Sequence, residues 1–408
     1  MASSRTLLKI LLVITALIIT STVIATSPIE AKSQTTQWTW SGGSGVSYGY
    51  PLLSPTGDLM LYSTNDVLYT ISPQGSLLRN SSMMLTGMPL FSADGSVFAL
   101  VSASATTVNG TKLIVMSPTG NVKWNHSIAG IAMGMNVLPD GGVVLGIMPT
   151  WAGQVNLECL NSDGSTRWTK GGYDAEALGS MMYPIGIHGN NVMVSSTKNA
   201  TPDTAVIHEF LPDGTELRAF NTNFTPLSIF FAIDGTMRTV GYQFSQDTNF
   251  EALYCLSNNG SVIWQKAISN LYGDIVVLPD GMTSFAERSG SINFSLTVYA
   301  VDRNGDPLWQ LSNADSVPVV YKGNTLVSNA ASLLLVSHDG KVIWSIDGLF
   351  YGQPVVKGNT IYAGTSSGLT AITDSAWNVT WQPAVLMLTI IVAMAGVWLL
   401  SGRTPRLR

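Results

Sequence analysis

The sequence predicts an all-β protein, and specifically an eight-bladed β-propeller. One hairpin pattern recurs: a strand, a tight turn containing glycine, and a second strand with tryptophan four residues after that glycine. It is clearest in LYCLSNNGSVIW at Leu253–Trp264, and it returns at Leu113–Trp124, Asn156–Trp168, Val298–Trp309 and Leu333–Trp344. Counted with three variant copies, the pattern occurs about every 35 to 50 residues, which indicates a repeat architecture.

The variant copies keep the hairpin and change one residue. Arg79 and Arg218 stand where tryptophan is expected, and a final copy keeps Trp381 but has Trp377 in place of the glycine. Each unit also opens with a second hairpin, whose turn glycines are Gly57, Gly95, Gly141, Gly189, Gly235, Gly281, Gly323 and Gly358. Two hairpins give four strands. Repeated four-stranded antiparallel sheets with short edges are typical of a β-propeller.

Composition excludes one class of partner. Residues 32–381 contain 15 basic and 24 acidic residues, a net charge of −9, which argues against binding to a nucleic-acid backbone. Seven of the carboxylates directly precede a glycine, and Asp-Gly is turn chemistry, so most of this acidity is expected to be structural. They are Asp94, Asp140, Asp163, Asp213, Asp234, Asp280 and Asp339.

The N-terminus, residues 1–31, predicts export. Arg5 and Lys9 precede an apolar run from Ile10 to Ala25, the pattern of a signal peptide, with an uncleaved anchor as the alternative. Residues 32–383 then form the predicted ectodomain. Its first segment, Gln37–Trp40 (QWTW), is similar to the last strand of a unit that has lost its hairpin.

The repeated runs YAVDRNGDPLW, YCLSNNGSVIW and LLVSHDGKVIW resemble the tryptophan-docking repeat of PQQ-like, quinoprotein-type propellers. The resemblance extends from about Gln37 to Trp381. It implies that the tryptophan of one blade's outer strand packs on the neighbouring blade. The docking residues are then Trp40, Trp124, Trp168, Trp264, Trp309, Trp344 and Trp381. The family includes PQQ-dependent dehydrogenases and non-catalytic scaffolds of the outer-membrane assembly type, so the resemblance leaves activity open.

The residues do not favour quinone catalysis. The resemblance implies a cofactor held by adjacent disulfide-bonded cysteines and a calcium ion held by a Glu/Asn/Asp set. Cys159 and Cys255 are not adjacent, and their equivalent repeat positions predict two small buried side chains. We therefore predict no catalytic residue and no cofactor, PQQ with calcium included.

Metal binding has no support in the spacing of ligands. The histidines fall in separate units without the spacing of a zinc site, and no calcium loop is present. They are His126, His188, His208 and His338. We therefore predict no metal site.

The C-terminus predicts a membrane anchor. Ala384–Ser401 contains no charge, and at 1.5 Å per residue its length of about 27 Å suffices to cross a bilayer. Arg403, Arg406 and Arg408 follow in the tail, residues 402–408. Because positive residues favour the cytoplasmic side, we expect a single-pass protein of the cell membrane with its propeller outside.

The two faces of the ring are expected to differ. One face carries only tight turns, whereas the other carries longer links, such as Ser102–Lys112, Ser196–Ala205 and Ala286–Asn293. Function concentrates on elaborated loops held by a rigid scaffold. The candidate binding residues on these links are Tyr48, Tyr173, Asp174, Glu176, Tyr272 and Tyr351. The alternative is that these tyrosines only pack over the mouth of the channel.

The sequence therefore predicts a surface module that binds a protein or glycan, of an archaeal type. The alternative is an envelope enzyme that uses the channel, either a quinone-dependent oxidoreductase or a hydrolase or transferase.

Asn-x-Ser/Thr sequons predict glycosylation at Asn80, Asn109, Asn125, Asn199, Asn223, Asn259, Asn293 and Asn378. Either Gln37–Trp40 or Trp377–Trp381 can supply the outer strand of the last blade. We favour the first, because it leaves the binding face reachable.

Overall fold

The structure is a computed structural model. It describes residues 34–42, 51–102, 110–149, 154–174, 185–198, 201–244, 249–290, 295–329, 331–365 and 368–374. The chain divides into two compact units. One is Thr36–Ile372, which contains the strands discussed below, and the other combines Met1–Thr35 with Thr373–Arg408. Of the second unit only Gln34, Thr35, Thr373 and Asp374 are described.

The strands pair antiparallel in consecutive groups, numbered here in chain order. Group 1 contains β2 (Leu52–Leu53), β3 (Leu59–Tyr62), β4 (Val67–Ile71) and β5 (Leu77–Ser82). Group 2 contains β6 (Leu90–Phe91), β7 (Val97–Val101), β8 (Lys112–Met116) and β9 (Val122–Ser127). Group 3 contains β10 (Ile131–Val137), β11 (Val143–Met148), β12 (Gln154–Leu160) and β13 (Thr166–Asp174). Group 4 contains β14 (Ile185–His188), β15 (Asn191–Lys198), β16 (Thr201–Phe210) and β17 (Glu216–Thr222).

The second half of the chain repeats this order. In group 5 two short pieces serve as the first strand: β18 (Thr225–Pro226), β19 (Phe230–Phe231), β20 (Met237–Phe244), β21 (Asn249–Leu256) and β22 (Val262–Ile268). Group 6 contains β23 (Val276–Val277), β24 (Thr283–Ser289), β25 (Ser295–Val301) and β26 (Pro307–Ala314). Group 7 contains β27 (Val319–Tyr321), β28 (Asn324–Asn329), β29 (Ser332–Val336) and β30 (Val342–Asp347). Group 8 contains β31 (Phe350–Lys357), β32 (Thr360–Thr365), β33 (Gly368–Asp374) and the N-terminal β1 (Gln34–Ser41).

The fold is an all-β propeller built of four-stranded blades. Neighbouring groups are joined into one sheet at two places by a single pairing, Asp174 with Thr197 and Ala314 with Asn329. The predicted fold class is confirmed at this level. The described residues form no helix that is long and apolar enough to span a membrane. The predicted anchor, Ala384–Ser401, and the predicted signal segment, residues 1–31, lie outside the described residues.

The turn between the third and fourth strands has one geometry in groups 1 to 7. In group 5 the Gly260 N–H donates to the Ser257 carbonyl at 2.9 Å, and the Ser257 N–H donates to the Ser261 carbonyl at 2.8 Å. Gly260 has φ +85°, a left-handed conformation that glycine adopts without strain. The strand register shifts at the same point, between Cys255 and Leu256. These features define a type I turn with a glycine bulge, which explains why glycine recurs in the repeat.

The core lies between the faces of neighbouring groups. In one cluster Leu157 and Trp168 of group 3 pack with Val194 and Phe210 of group 4, and all four are buried. Strand alternation produces this arrangement, because inward residues of each sheet meet the next sheet across a layer about 10 Å thick.

Tryptophans of several outer strands connect one group to the next. Trp124 Nε1 donates to the Ser162 carbonyl at 2.8 Å, and a Cβ added at Gly164 would lie 2.8 Å from the Trp124 ring. Trp168 lies over Gly214 and donates to Pro212 at 3.0 Å. Trp264 lies over Gly305 and donates to Arg303 at 2.8 Å. Each acceptor stands two residues before the turn glycine of the following group.

Two of the remaining tryptophans that were predicted to dock do not show this hydrogen bond in the described part of the chain. Trp309 lies over Gly340, but its Nε1 and that of Trp344 are buried without a hydrogen-bond partner among the described residues. Trp381 lies outside the described residues.

The N-terminal strand β1 pairs with β33 and forms the outer strand of group 8. Its docking residue is Trp38, which lies over Gly75 and donates to the Pro73 carbonyl at 2.9 Å. Trp40, to which the sequence comparison assigned this position, lies two residues further along the strand. It is buried in a cluster with Leu61 and Leu369. Residues two apart on a strand share a face, so the pattern alone could not decide between the two tryptophans.

Candidate functional site

The connections between strands distinguish two faces. The turns from first to second strand and from third to fourth strand lie on one face, named here the turn face. The links from second to third strand and from group to group lie on the other, named the loop face. Of the predicted binding residues, Tyr173 is the last but one residue of β13, Tyr272 follows β22 and Tyr351 lies in β31. The strand order therefore places all three tyrosines at the loop face.

The exposure of these tyrosines differs. Tyr351 is 50% exposed to solvent, whereas Tyr173 and Tyr272 are less exposed. The Asp174 backbone pairs with Gln154 and Thr197. Tyr48 and Glu176 lie outside the described residues. Tyr351 is thus a directly accessible member of the predicted binding face.

Tyr173 packs against a polar cluster on group 4. Its ring meets the His208 ring edge-on at 5.2 Å and the Phe210 ring at 6.1 Å. Burial, together with the nearby charge of Glu216, raises the pKa of Tyr173. The phenol is therefore held neutral beside the imidazole of His208.

His208 is the centre of a hydrogen-bonded chain across three adjacent strands. Ser196 Oγ on β15 lies 3.0 Å from His208 Nε2 on β16, and His208 Nδ1 lies 3.0 Å from Glu216 Oε1 on β17. A carboxylate only accepts hydrogen bonds. When Glu216 is ionised and His208 is neutral, His208 therefore carries its proton on Nδ1, and Nε2 accepts from the Ser196 hydroxyl. This order of serine, imidazole and carboxylate is the arrangement that activates a serine as a nucleophile.

Sequence reasoning missed this chain because its members form no linear motif. The register pairs Val194 with His208, so Ser196 is the diagonal neighbour of His208 on the same face of the sheet. Once the β15–β16 pairing was assumed, strand alternation would have been the available signal.

The loop face also carries carboxyl groups whose burial disfavours ionisation. Burial raises the pKa of Glu251, which lies near the start of β21. Burial also raises the pKa of Glu287 near the end of β24, and the negative charge of Glu251 raises it further. Burial likewise raises the pKa of Asp274 and Asp315 in links between groups. Perturbed carboxyls concentrate at functional sites, although structural networks also produce them.

The turn face shows the opposite behaviour. The Ser92 hydroxyl, with the Ser96 N–H, lowers the pKa of Asp94. The Lys341 ammonium and the Ser337 hydroxyl lower the pKa of Asp339 to about 2. Hydrogen bonds from turn N–H groups and hydroxyls similarly lower the pKa values of Asp163, Asp213 and Asp234. These aspartates stabilise turns, as the Asp-Gly pattern predicts.

A cavity of about 330 Å³ opens on the turn face between groups 2 and 3. Its charged residues pair with one another or with nearby turns: Lys123 Nζ lies 2.9 Å from Asp94, and Arg167 Nη2 lies 2.8 Å from Asp140. Because these pairs satisfy the charges that line it, the candidate site is assigned to the loop face.

The remaining histidines and both cysteines have structural surroundings. His126 pairs with Glu158 at 3.1 Å, His188 with Glu209 at 3.4 Å and His338 with Asp280 at 3.0 Å. Within the described ranges no three or more His, Cys, Asp or Glu side chains are grouped to hold a metal ion. Cys159 and Cys255 are free and buried, and burial raises the pKa of Cys159 to about 11.

The described sequon asparagines are Asn80, Asn125, Asn223 and Asn259, and all four are exposed. Asn80 and Asn125 lie in the outer strands β5 and β9 rather than in loops. Asn109, Asn199, Asn293 and Asn378 lie outside the described residues.

Comparison with known proteins supports a PQQ-like repeat. Residues 295–397 match the family model described as outer membrane protein assembly factor BamB. Among solved structures, BamB from Moraxella catarrhalis is 16% identical with a TM-score of 0.53, covering 84% of this chain and 98% of that one. The C-terminal WD40 domain of Sif2 is 9% identical with a TM-score of 0.54, covering 85% and 98%.

The Dos1 propeller is 10% identical with a TM-score of 0.51, covering 85% of this chain and 95% of that one. At such identities these likenesses show the fold alone. A search of curated proteins finds no match.

Proposed function

We propose that this chain is a membrane-anchored, extracellular β-propeller that binds a protein or glycan partner through its loop face and serves as a scaffold. The contrast between the two faces carries the proposal. Turn-face aspartates have lowered pKa values set by turn hydrogen bonds, whereas the loop face combines accessible tyrosine with carboxyls whose pKa values are raised by burial. Aromatic groups beside poised polar groups are typical of recognition surfaces.

The proposed ring has eight blades, each four-strand group being one blade. The strand orders support this number, since groups 1, 2, 5 and 8 are separate sheets and the two larger sheets each contain two groups. Closure by β1 supports it further, because pairing an N-terminal strand into the last sheet removes an open edge.

The proposed location rests on the sequence. The uncharged segment Ala384–Ser401 with the arginines that follow it fits an anchor with a cytoplasmic tail, and the apolar run from Ile10 to Ala25 fits export. Exposure of all four described sequon asparagines is consistent with an extracellular domain. The net charge of −9 over residues 32–381 disfavours nucleic acid as the partner.

Site-specific photocrosslinking tests the binding face. A photoreactive amino acid is placed at Tyr351 on the loop face or, as the matched control, at Val342 beside the turn face. These residues are 50% and 52% exposed. On intact cells we expect a discrete crosslinked species from position 351 and none from position 342. Equal crosslinking from both, or crosslinking from position 342 alone, would overturn the assignment of the loop face.

The quinone-dependent alternative has its own test. A purified ectodomain that acquires the PQQ absorbance spectrum and oxidises alcohols with a dye and calcium would replace the scaffold proposal. The hydrolase alternative is favoured by one specific observation, the hydrogen-bonded chain of Ser196, His208 and Glu216.

A further inference from the structure

We propose that Ser196, His208 and Glu216 form a serine acyl-transfer site for short-chain esters, an activity independent of partner binding by the loop face. The geometry is complete for the three side chains: 3.0 Å from Ser196 Oγ to His208 Nε2, and 3.0 Å from His208 Nδ1 to Glu216 Oε1. Both distances lie within the range for a nucleophile, its base and the group that orients the base.

Rigid strands hold the three residues. They lie on β15, β16 and β17, three consecutive strands of group 4 that pair along their length. The His208 ring is held by aromatic neighbours, stacked on Phe210 at 6.0 Å and 10° and met edge-on by Tyr173. Sites built on strands keep their geometry better than sites built on loops.

The position of Ser196 leads towards the loop face. It stands two residues before the end of β15, beside the single pairing of Asp174 with Thr197 that joins groups 3 and 4. Ser196 is 7% exposed, which favours a small acyl group. Tyr173 and Phe210 place apolar rings beside His208, and this favours a short aliphatic acyl chain.

The proposed reaction balances with water as the second reactant. Ser196 Oγ attacks the ester carbonyl carbon and its proton passes to His208 Nε2, while Glu216 stabilises the imidazolium. The carbon–alkoxy bond breaks, and the leaving alkoxide takes the proton from His208. Water then attacks the acyl-serine, giving its proton to His208. The carbon–Oγ bond breaks, Ser196 recovers its proton, and the products are a carboxylic acid and an alcohol.

Two other residues, one a serine beside Ser196 and the other a histidine in another group, lack the complete arrangement. Ser195 points to the opposite face of β15 and donates to the Pro226 carbonyl at 3.3 Å. His126 pairs with Glu158 at 3.1 Å, like His208 with Glu216, and provides a histidine–carboxylate pair in a different group. These two residues are therefore matched controls.

A fluorophosphonate probe tests the proposal directly, because it phosphonylates an activated serine with loss of fluoride whatever the natural substrate is. Full-length protein is incubated with the probe and the adduct is located by peptide mass spectrometry. We expect one adduct, on Ser196. His208→Gln should slow its formation by about 100-fold, the contribution of a positioned general base. Ser195→Ala and His126→Gln should leave the rate unchanged.

Absence of an adduct on Ser196 in the unsubstituted protein would overturn the proposal, even if His208→Gln failed to fold. An adduct on Ser196 that forms equally fast in folded His208→Gln protein would also overturn it, since the serine would then need no base. None of these results bears on crosslinking from position 351, so the two proposals fail separately.

Discussion

Arg79 donates from Nη1 to the Pro118 carbonyl at 2.7 Å, and so occupies the position that tryptophan holds in other groups. Its guanidinium lies against Gly120, where an added Cβ would come within 2.6 Å of Nη1. Arg218 likewise donates to the Asn258 carbonyl, but there the Phe220 ring covers Gly260. A flat group over the turn glycine and a donor to the carbonyl two residues before it are therefore the two recurring contacts, and the single side chain of Arg79 supplies both.

The first prediction concerns this equivalence. Arg79→Trp should leave the free energy of unfolding within about 1 kcal/mol, because the indole restores both the donor and the covering ring. Arg79→Ala should lower it by about 1.5 kcal/mol, the net value of a hydrogen bond from a charged donor. Urea denaturation of the two variants checks the pair. Equal losses in both variants would contradict the equivalence.

The second prediction concerns ring closure. Trp38→Ala should lower the free energy of unfolding by about 3 to 5 kcal/mol, because a large aromatic is removed from its contact with Gly75 and Pro73. Trp381→Ala is the control and should have a much smaller effect. Thermal melting of both variants decides between the two ends of the chain. A larger loss in Trp381→Ala would assign closure to the C-terminal segment.

The third prediction concerns the turn glycines. Gly164→Ala should destabilise the protein by at least about 1 to 2 kcal/mol, because φ is +86° and the new methyl would lie 2.8 Å from the Trp124 ring. Gly87→Ala is the matched control: it has no heavy atom within 4 Å of an added Cβ. Its unfolding midpoint in urea should be unchanged or slightly raised. A Gly164→Ala midpoint equal to that of Gly87→Ala would refute this explanation of the repeat.

The fourth prediction concerns pH. Because burial raises the folded-state pKa of Glu251 and Glu287, their contribution to stability is fully present below the unfolded pKa of about 4.3. It is lost as pH rises through the folded pKa. Glu251→Gln should therefore reduce the loss of stability between pH 4 and pH 8. It should also lower the pKa of Glu287 by removing a neighbouring charge.

Urea denaturation at the two pH values checks this prediction. Asp163→Asn on the turn face is the control and should leave the change in stability between these two pH values nearly as it is in the unsubstituted protein. Its native carboxyl has a lowered pKa, so the stability it contributes is present above the unfolded pKa of about 3.9 and is lost only as pH falls further. A Glu251→Gln variant whose pH dependence matched that of the unsubstituted protein would contradict the assignment.

The hairpins could be predicted from the sequence because their turns require particular residues. Gly75, Gly120 and the other turn glycines mark hairpins whose left-handed backbone few other residues accept, so the strands between them follow. The choice of Trp38 over Trp40 depended on the register of β1 against β33, which joins residues more than 300 positions apart. Local patterns carry no information about such pairings.

The candidate site was predicted less completely for a related reason. Tyr173 and Tyr351 were found because they stand at strand ends that the sequence predicts as links, and the face of such links follows from strand order. Ser196, His208 and Glu216 meet only through the registers of two strand pairs, and each residue taken alone is common on a sheet surface. Their hydrogen bonds become visible once side chains are placed.

Pairing of β1 with β33 also determines when the molecule can finish folding. Thr370 Oγ1 donates to the Trp38 carbonyl at 3.2 Å across 332 residues of chain. A chain synthesised from its N-terminus therefore presents β1 first and must leave it without its partner until nearly the whole domain has followed. During that interval the earliest strand is an exposed edge, open to pairing with another copy. Conditions that slow synthesis late in the chain should therefore promote misassembly more than conditions that slow it early.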